Sequence, residues 1–176
     1  MPQLKSLSVN SELIKEVITV KVEFMNPFIS AAISVLESEV NATIKKGRLT
    51  LETGDFLSQE VTVLIGVTGK VEGHVFYGMK EKTAKKIVSA MMGEELLVFD
   101  EFAQSGISEL GNVITGKAGI GLEAAGYPCN LSPPTLILRE GTSISTLNIS
   151  RILVPLLTQY GEIIVHVGLR EADSDD

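Results

Sequence analysis

No stretch constrains the fold of this chain more than Asp100–Ala125, where small and aliphatic residues recur at helical spacing without a break. An α-helix turns about 100° per residue. Ala103, Ile107, Leu110, Ile114, Ala118, Gly121 and Ala125 therefore share one side, and a side so apolar has to lie on a core. Gly126, with Pro128 just beyond, ends the helix. The runs around it supply the surface it needs. Thr43–Glu52, Val61–Val67 and Gly73–Met79 precede it; Asn130–Leu138, Ser143–Ile149, Leu153–Thr158 and Gly161–Val167 follow. They are rich in β-branched residues and punctuated by glycine, and they read as strands. Two further helices are predicted. One runs from about Val22 to Val40 with Phe24, Phe28, Ile29, Ala32, Val35 and Leu36 as its apolar face. Pro27 falls in its opening turn, where proline is tolerated. The other, Glu81–Met92, is closed by Gly93 at the C-cap. The pattern is that of an α+β domain: a mostly antiparallel sheet covered on one face by long helices.

The reverse side of the Asp100–Ala125 helix carries Ser105, Glu109 and Asn112, spelling S-x-x-x-E-x-x-N, with Gly116 on the same line. Offsets of four and seven residues return these side chains to nearly one direction. A carboxylate and a carboxamide thus stand one turn apart on the solvent side of an anchored helix, beside a glycine that bares the backbone. Every amphipathic helix exposes polar residues, and E-x-x-N arises often by chance. The spacing alone assigns no chemistry; its context does.

The segment Ser105-Gly-Ile-Ser-Glu-Leu-Gly-Asn-Val-Ile-Thr-Gly-Lys-Ala118 resembles the signature helix of the CheC/CheX/FliY family of bacterial chemotaxis phosphatases. That helix carries Asp or Ser, then Glu and Asn at this spacing, with a proline downstream. Here Pro133 and Pro134 lie 21 and 22 positions after Asn112. Phe24-Met-Asn-Pro-Phe-Ile-Ser-Ala-Ala-Ile-Ser-Val-Leu36 resembles the first helix of CheX proteins, with their Asn-Pro-Phe start. The resemblance covers residues 20–170. It leaves 1–19 as an N-terminal extension with a short helix at Ser11–Ile18, and 171–176 as an acidic, disordered tail.

The resemblance implies a CheC-like pseudo-two-fold domain, and a weak internal repeat agrees. Thr19-x-x-x-Glu23-x-x-Asn26 echoes Ser105-x-x-x-Glu109-x-x-Asn112 at an offset of 86, and Gly73-His-Val-Phe-Tyr77 resembles Gly161-Glu-Ile-Ile-Val165. The implied activity is hydrolysis of the aspartyl phosphate on a CheY-like response regulator. The regulator brings its own Mg²⁺ and lysine, so no cofactor or metal of this chain is expected. Such a transfer has a loose transition state and asks for a positioned water more than a strong base. Asn112 suits that role, because its carbonyl oxygen accepts from the water while its NH₂ donates. Glu109, repelled by a phosphoryl group, would instead clamp the regulator's lysine. Ser105 would support the surface by hydrogen bonding, and Gly116 would let the regulator approach. CheX chains work as dimers, which implies a homodimer whose exposed strand edges are covered by an edge-to-edge or strand-exchanging pair. Glu23 and Asn26 form a second candidate pair. Against it stand Asn26-Pro27, ordinary chemistry for a helix start, and Ser30 in place of the glycine.

Composition narrows the alternatives. With 15 basic against 22 acidic residues and no basic cluster, nothing tracks a nucleic-acid backbone. No stretch reaches the ~18–20 apolar residues of a membrane span, and the first residues lack a signal-peptide core. Cys129 is alone, so no disulfide framework exists and a reducing cytoplasm is the expected setting. His74 and His166 fall in predicted strands without metal-ligand spacing. Gly116-Lys-Ala-Gly-Ile-Gly121 lies within a helix and lacks the order of a phosphate loop. Two functions stay open: a phosphatase of a CheY-like regulator, or a non-catalytic docking module of the same fold, as in a flagellar switch. The outward carboxamide favours the first.

Overall fold

The structure, a computed structural model, describes residues 11–146 and 149–173, with side chains from residue 22 onward. Its elements are α1 (Ser11–Val40), β1 (Lys45–Lys46), β2 (Thr50–Glu52), β3 (Phe56–Leu57), β4 (Val61–Gly69), β5 (Val71–Met79) and α2 (Glu81–Met92). Then come α3 (Glu101–Ala124), β6 (Cys129–Leu131), β7 (Thr135–Ile137), β8 (Ser143–Ile144), β9 (Arg151–Thr158) and β10 (Gly161–Glu171).

Alternation along the strands decides which face is covered. Val61, Val63, Ile65 and Val67 of β4 share one buried face with Val75 and Tyr77 of β5, Ile163 and Val165 of β10, and Val154 of β9. α1 and α3 pack against each other on that face, α1 over β9 and β10, α3 over β4, β6 and β7. The main sheet runs β1-β9-β10-β5-β4-β6, with β2 also on β9 and β7 also on β4, and its pairings are antiparallel. The antiparallel sheet under long helices is therefore as expected. The repeat gains a structural meaning too. The offset of 88 between its glycine-led strands equates Tyr77 with Val165, and these two are register partners in the middle of the sheet. A local two-fold through that pair exchanges β5 with β10.

Several boundaries differ, each for a physical reason. The first helix begins at Ser11, so part of the expected N-terminal extension continues into α1, and Pro27 lies deep inside it rather than in its opening turn. Proline leaves the carbonyl of Glu23 without its usual donor. Its ring fits because α3 presents Gly121 there; a Cβ on Gly121 would stand 3.1 Å from Pro27 Cβ. Asn26 is consequently not a helix cap.

The expected strand Thr43–Glu52 is two short pieces, and Pro155 of β9 explains the break. Its carbonyl accepts from Gly47 N–H at 2.7 Å, so its proton-less nitrogen faces the same edge and interrupts the ladder between β1 and β2. Pro133 and Pro134 likewise divide Asn130–Leu138 into β6 and β7. Of Ser143–Ile149 only Ser143 and Ile144 pair, with the unpredicted Leu57 and Phe56, while Leu147 and Asn148 lie outside the described residues. β10 reaches Glu171, the register partner of Val71, so this residue belongs to the sheet and not to a tail. Ala172 beyond it still donates its N–H to the Lys70 carbonyl at 3.0 Å, and the last three residues of that expected tail, 174–176, lie outside the described residues.

The sheet face away from the helices holds a smaller cluster. Phe56 of β3 stacks on Phe76 of β5 with centroids 3.8 Å apart, and the His166 ring meets Phe56 edge-on at 5.0 Å. Arg151, 1% exposed, donates from Nη1 to the carbonyl of Gly54 at 2.6 Å and to Thr146 Oγ1 at 3.2 Å. Its guanidinium lies 5.6 Å from the centre of the Phe56 ring.

Candidate active site on the third helix

α3 is anchored along its whole length. Asp100 caps it, Oδ1 accepting from Ala103 N–H at 3.0 Å, a contact worth about 1 kcal/mol. Gly126 at φ 94° takes the chain out of the helix. Between these ends Ala103, Ile107, Leu110, Gly111, Ile114, Thr115, Ala118 and Leu122 are buried. The predicted inner face holds as far as Ala118. Beyond it Gly121 is half-buried against Pro27 of α1, Ala125 is exposed, and Leu122 takes the last inner position.

On the outside, Ser105, Glu109 and Asn112 are all exposed, as their spacing required. Gly116 completes the line. No heavy atom stands within 4 Å of where its Cβ would be, so nothing inside the protein demands a glycine there. Glu109 has no ion-pair partner among the described residues. Beside Gly116, Lys117 Nζ donates to Ser34 Oγ at 2.5 Å and ties α3 to α1. Glu23 and Asn26 are also exposed, with Ser30 following them, but on α1 rather than α3. The structure does not join the two pairs into one constellation.

Two kinds of residue escaped the sequence reading. Gly111 and Thr115 lie beneath the polar line, against the sheet; a Cβ on Gly111 would come within 2.8 Å of Val63 Cγ1. A hydroxyl at an inner helix position is the one local signal for Thr115. Phe102, Val113 and Ile120 form the second group, apolar yet 55%, 42% and 70% exposed. Their offsets of 11 and 7 put them on one helical line beside Glu109.

The other candidates stay apart from this surface. His166 is 5% exposed on the opposite side of the sheet. Burial, and after it the Arg151 charge, push its pKa down to about 3. His74, half-buried on the same side, is lowered by burial as well. Among the described residues no three His, Cys, Asp or Glu side chains gather as metal ligands, and no helix is long and apolar enough to cross a membrane. A cleft of about 690 Å³ is lined by Lys82, Lys86, Ser89 and Tyr160 and includes none of the α3 residues.

A carboxamide and a carboxylate on a convex, rigid helix, away from that cleft, do not enclose a small molecule. Exposed in this way, they are open to a group presented by another macromolecule.

Comparison with known proteins addresses family and fold. The family described as chemotaxis phosphatase CheX matches residues 61–157. The CheY-P phosphatase CheX of Thermotoga maritima is 31% identical over 126 residues, which is 71% of this chain and 81% of that protein. A CheC-like superfamily protein from Shewanella superposes with a TM-score of 0.77 at 26% identity, covering 85% of this chain and 98% of its own. CheX in the CheX–CheY–BeF₃–Mg²⁺ complex from Borrelia burgdorferi superposes with a TM-score of 0.73 at 30% identity, over 84% of this chain and 98% of that one.

Proposed function

The chain belongs to the CheX family of chemotaxis phosphatases, and from that premise we propose that it hydrolyses the aspartyl phosphate of a CheY-like response regulator through Asn112 and Glu109. The observation that carries the reading is the pair itself: two exposed side chains one turn apart on a helix whose opposite face is locked to the sheet. The likeness to a CheX solved in complex with CheY, beryllium trifluoride and Mg²⁺ supports the class of partner.

The regulator in this scheme arrives with its phosphoryl group already neutralised by its own Mg²⁺ and lysine. What remains is to place a water in line with the bond to the departing carboxylate. The Asn112 carbonyl oxygen accepts one proton of that water, and its NH₂ donates toward the phosphoryl oxygens, which fixes both position and orientation. Glu109 takes the regulator's lysine and holds the two proteins in register. Ser105 steadies the edge of the contact. Gly116, with open space where its Cβ would stand, lets the partner's backbone come close. The protein works as a homodimer, which light scattering tests directly.

Decay of a phosphorylated CheY-type receiver, followed with and without the protein, tests the reading. Acceleration is the expected result. Unchanged decay by a protein that still binds the receiver would leave the docking module as the function.

A further inference from the structure

We propose that Tyr77 and Thr115 are positioning residues for Asn112, holding it through a chain of buried hydroxyls that ends on the peptide group from which Asn112 is hung. The inference rests on the role given to Asn112 above.

Apolar side chains such as Val63, Met79, Ile107, Leu110 and Ile114 surround this part of α3, yet two hydroxyls meet among them. Tyr77 is 2% exposed and Thr115 is 0% exposed, with Tyr77 Oη 2.6 Å from Thr115 Oγ1. Thr115 Oγ1 donates its single proton to the carbonyl of Gly111 at 2.8 Å, so the Tyr77 hydroxyl is the donor to Thr115. That carbonyl belongs to the same planar peptide unit as the Asn112 N–H. Fixing one end of the plane fixes the other.

Both ends of the chain are rigid. Tyr77 sits in the middle of the sheet, in register with Val63 on β4 and Val165 on β10. Gly111, lacking a Cβ, lets α3 settle directly onto Val63 and onto the Tyr77 ring. A Phe–Val pair would fill nearly the same space without desolvating two hydroxyls. What the hydroxyls add is direction, since a hydrogen bond resists sliding and rotation that apolar contacts tolerate. A carboxamide that must place a water gains from that constraint, because a displacement near 1 Å is enough to lose roughly a hundredfold in rate.

The test compares Tyr77→Phe, Thr115→Val and Thr115→Ser with the wild type. Circular dichroism first establishes that each is folded. Phosphate release from a phosphorylated CheY-type receiver then gives kcat and KM. The proposal expects kcat to fall roughly tenfold in Tyr77→Phe and Thr115→Val with KM unchanged, and Thr115→Ser, which keeps the hydroxyl, to retain most of the activity. Unchanged kcat in the first two, or an equal loss in Thr115→Ser, overturns it. If the wild type does not accelerate release at all, the phosphatase reading fails, and a readout without catalysis decides this proposal. The backbone NMR order parameter of Asn112 is then expected to drop in Tyr77→Phe, and an unchanged value overturns the positioning role.

Discussion

Gly111 lies so close to Val63 that a methyl group placed on it would come within 2.8 Å of Val63 Cγ1. Gly116, little more than one turn further along the same helix, has nothing within 4 Å of the equivalent point. The two glycines therefore respond oppositely to the same substitution. Gly111→Ala gains helix propensity but forces the helix off the sheet, for a net loss of about 1–2 kcal/mol. Gly116→Ala meets only solvent and stabilises by about 0.5–1 kcal/mol, while weakening receiver docking. Urea unfolding of both variants checks the pair; a Gly111→Ala protein as stable as wild type contradicts the close packing.

Glu109 is exposed and carries the docking charge in this account. Glu109→Lys is expected to weaken binding of a beryllofluoride-activated receiver several-fold at low salt. The gap to wild type should narrow as salt rises from about 0.01 M to about 1 M, where the screening length falls roughly tenfold. Titration calorimetry across that range is the check, and a gap that stays constant removes charge pairing as the cause.

The surface line was legible because exposure at helical spacing is a local property: Ser105, Glu109 and Asn112 needed only the pitch of one helix. The same holds for Glu81–Met92, whose stop at Gly93 is met by a left-handed φ of 70° and a bond from its N–H to the carbonyl of Ser89. What lay hidden depends on residues far apart in sequence. Pro155 breaks a strand pairing more than a hundred positions upstream, at Gly47. Gly121 makes room for Pro27 inside α1, which local rules place at a helix start. Thr115 reads as an ordinary polar residue until Tyr77 arrives opposite it. The pairing of Phe56 with Ile144 joins two segments too short to show any alternation of their own.

His166 ties stability to pH. Its folded pKa, about 3, lies below the ordinary value of 6.5, so the fold favours the neutral ring. Stability is therefore full above pH 6.5 and declines as pH falls toward 3, because the unfolded chain takes up a proton that the folded chain refuses. Between pH 7.5 and 5.5 the loss from this residue is about 1 kcal/mol. His166→Phe, placed among Phe56 and Phe76, should flatten that part of the profile. Urea unfolding of wild type and variant at the two pH values measures it, and parallel profiles contradict the assignment.

Glu23 and Asn26 are exposed on α1 in the same spacing as Glu109 and Asn112, but α1 offers no glycine after them. The double variant Glu23→Ala with Asn26→Ala is expected to leave phosphatase activity within about twofold of wild type, the usual outcome for surface changes away from the chemistry. A loss as deep as that of the α3 pair would make it a second working site.

In the proposed reaction, hydrolysis depends on Asn112. The most direct measurement sets Asn112→Ala beside wild type in two assays on one CheY-type receiver: phosphate release from its phosphorylated form and affinity for its beryllofluoride-activated form. Acceleration is expected to disappear while affinity stays within a few-fold of wild type, as for a group that acts only on the water of the transition state. Undiminished acceleration by Asn112→Ala would contradict that role.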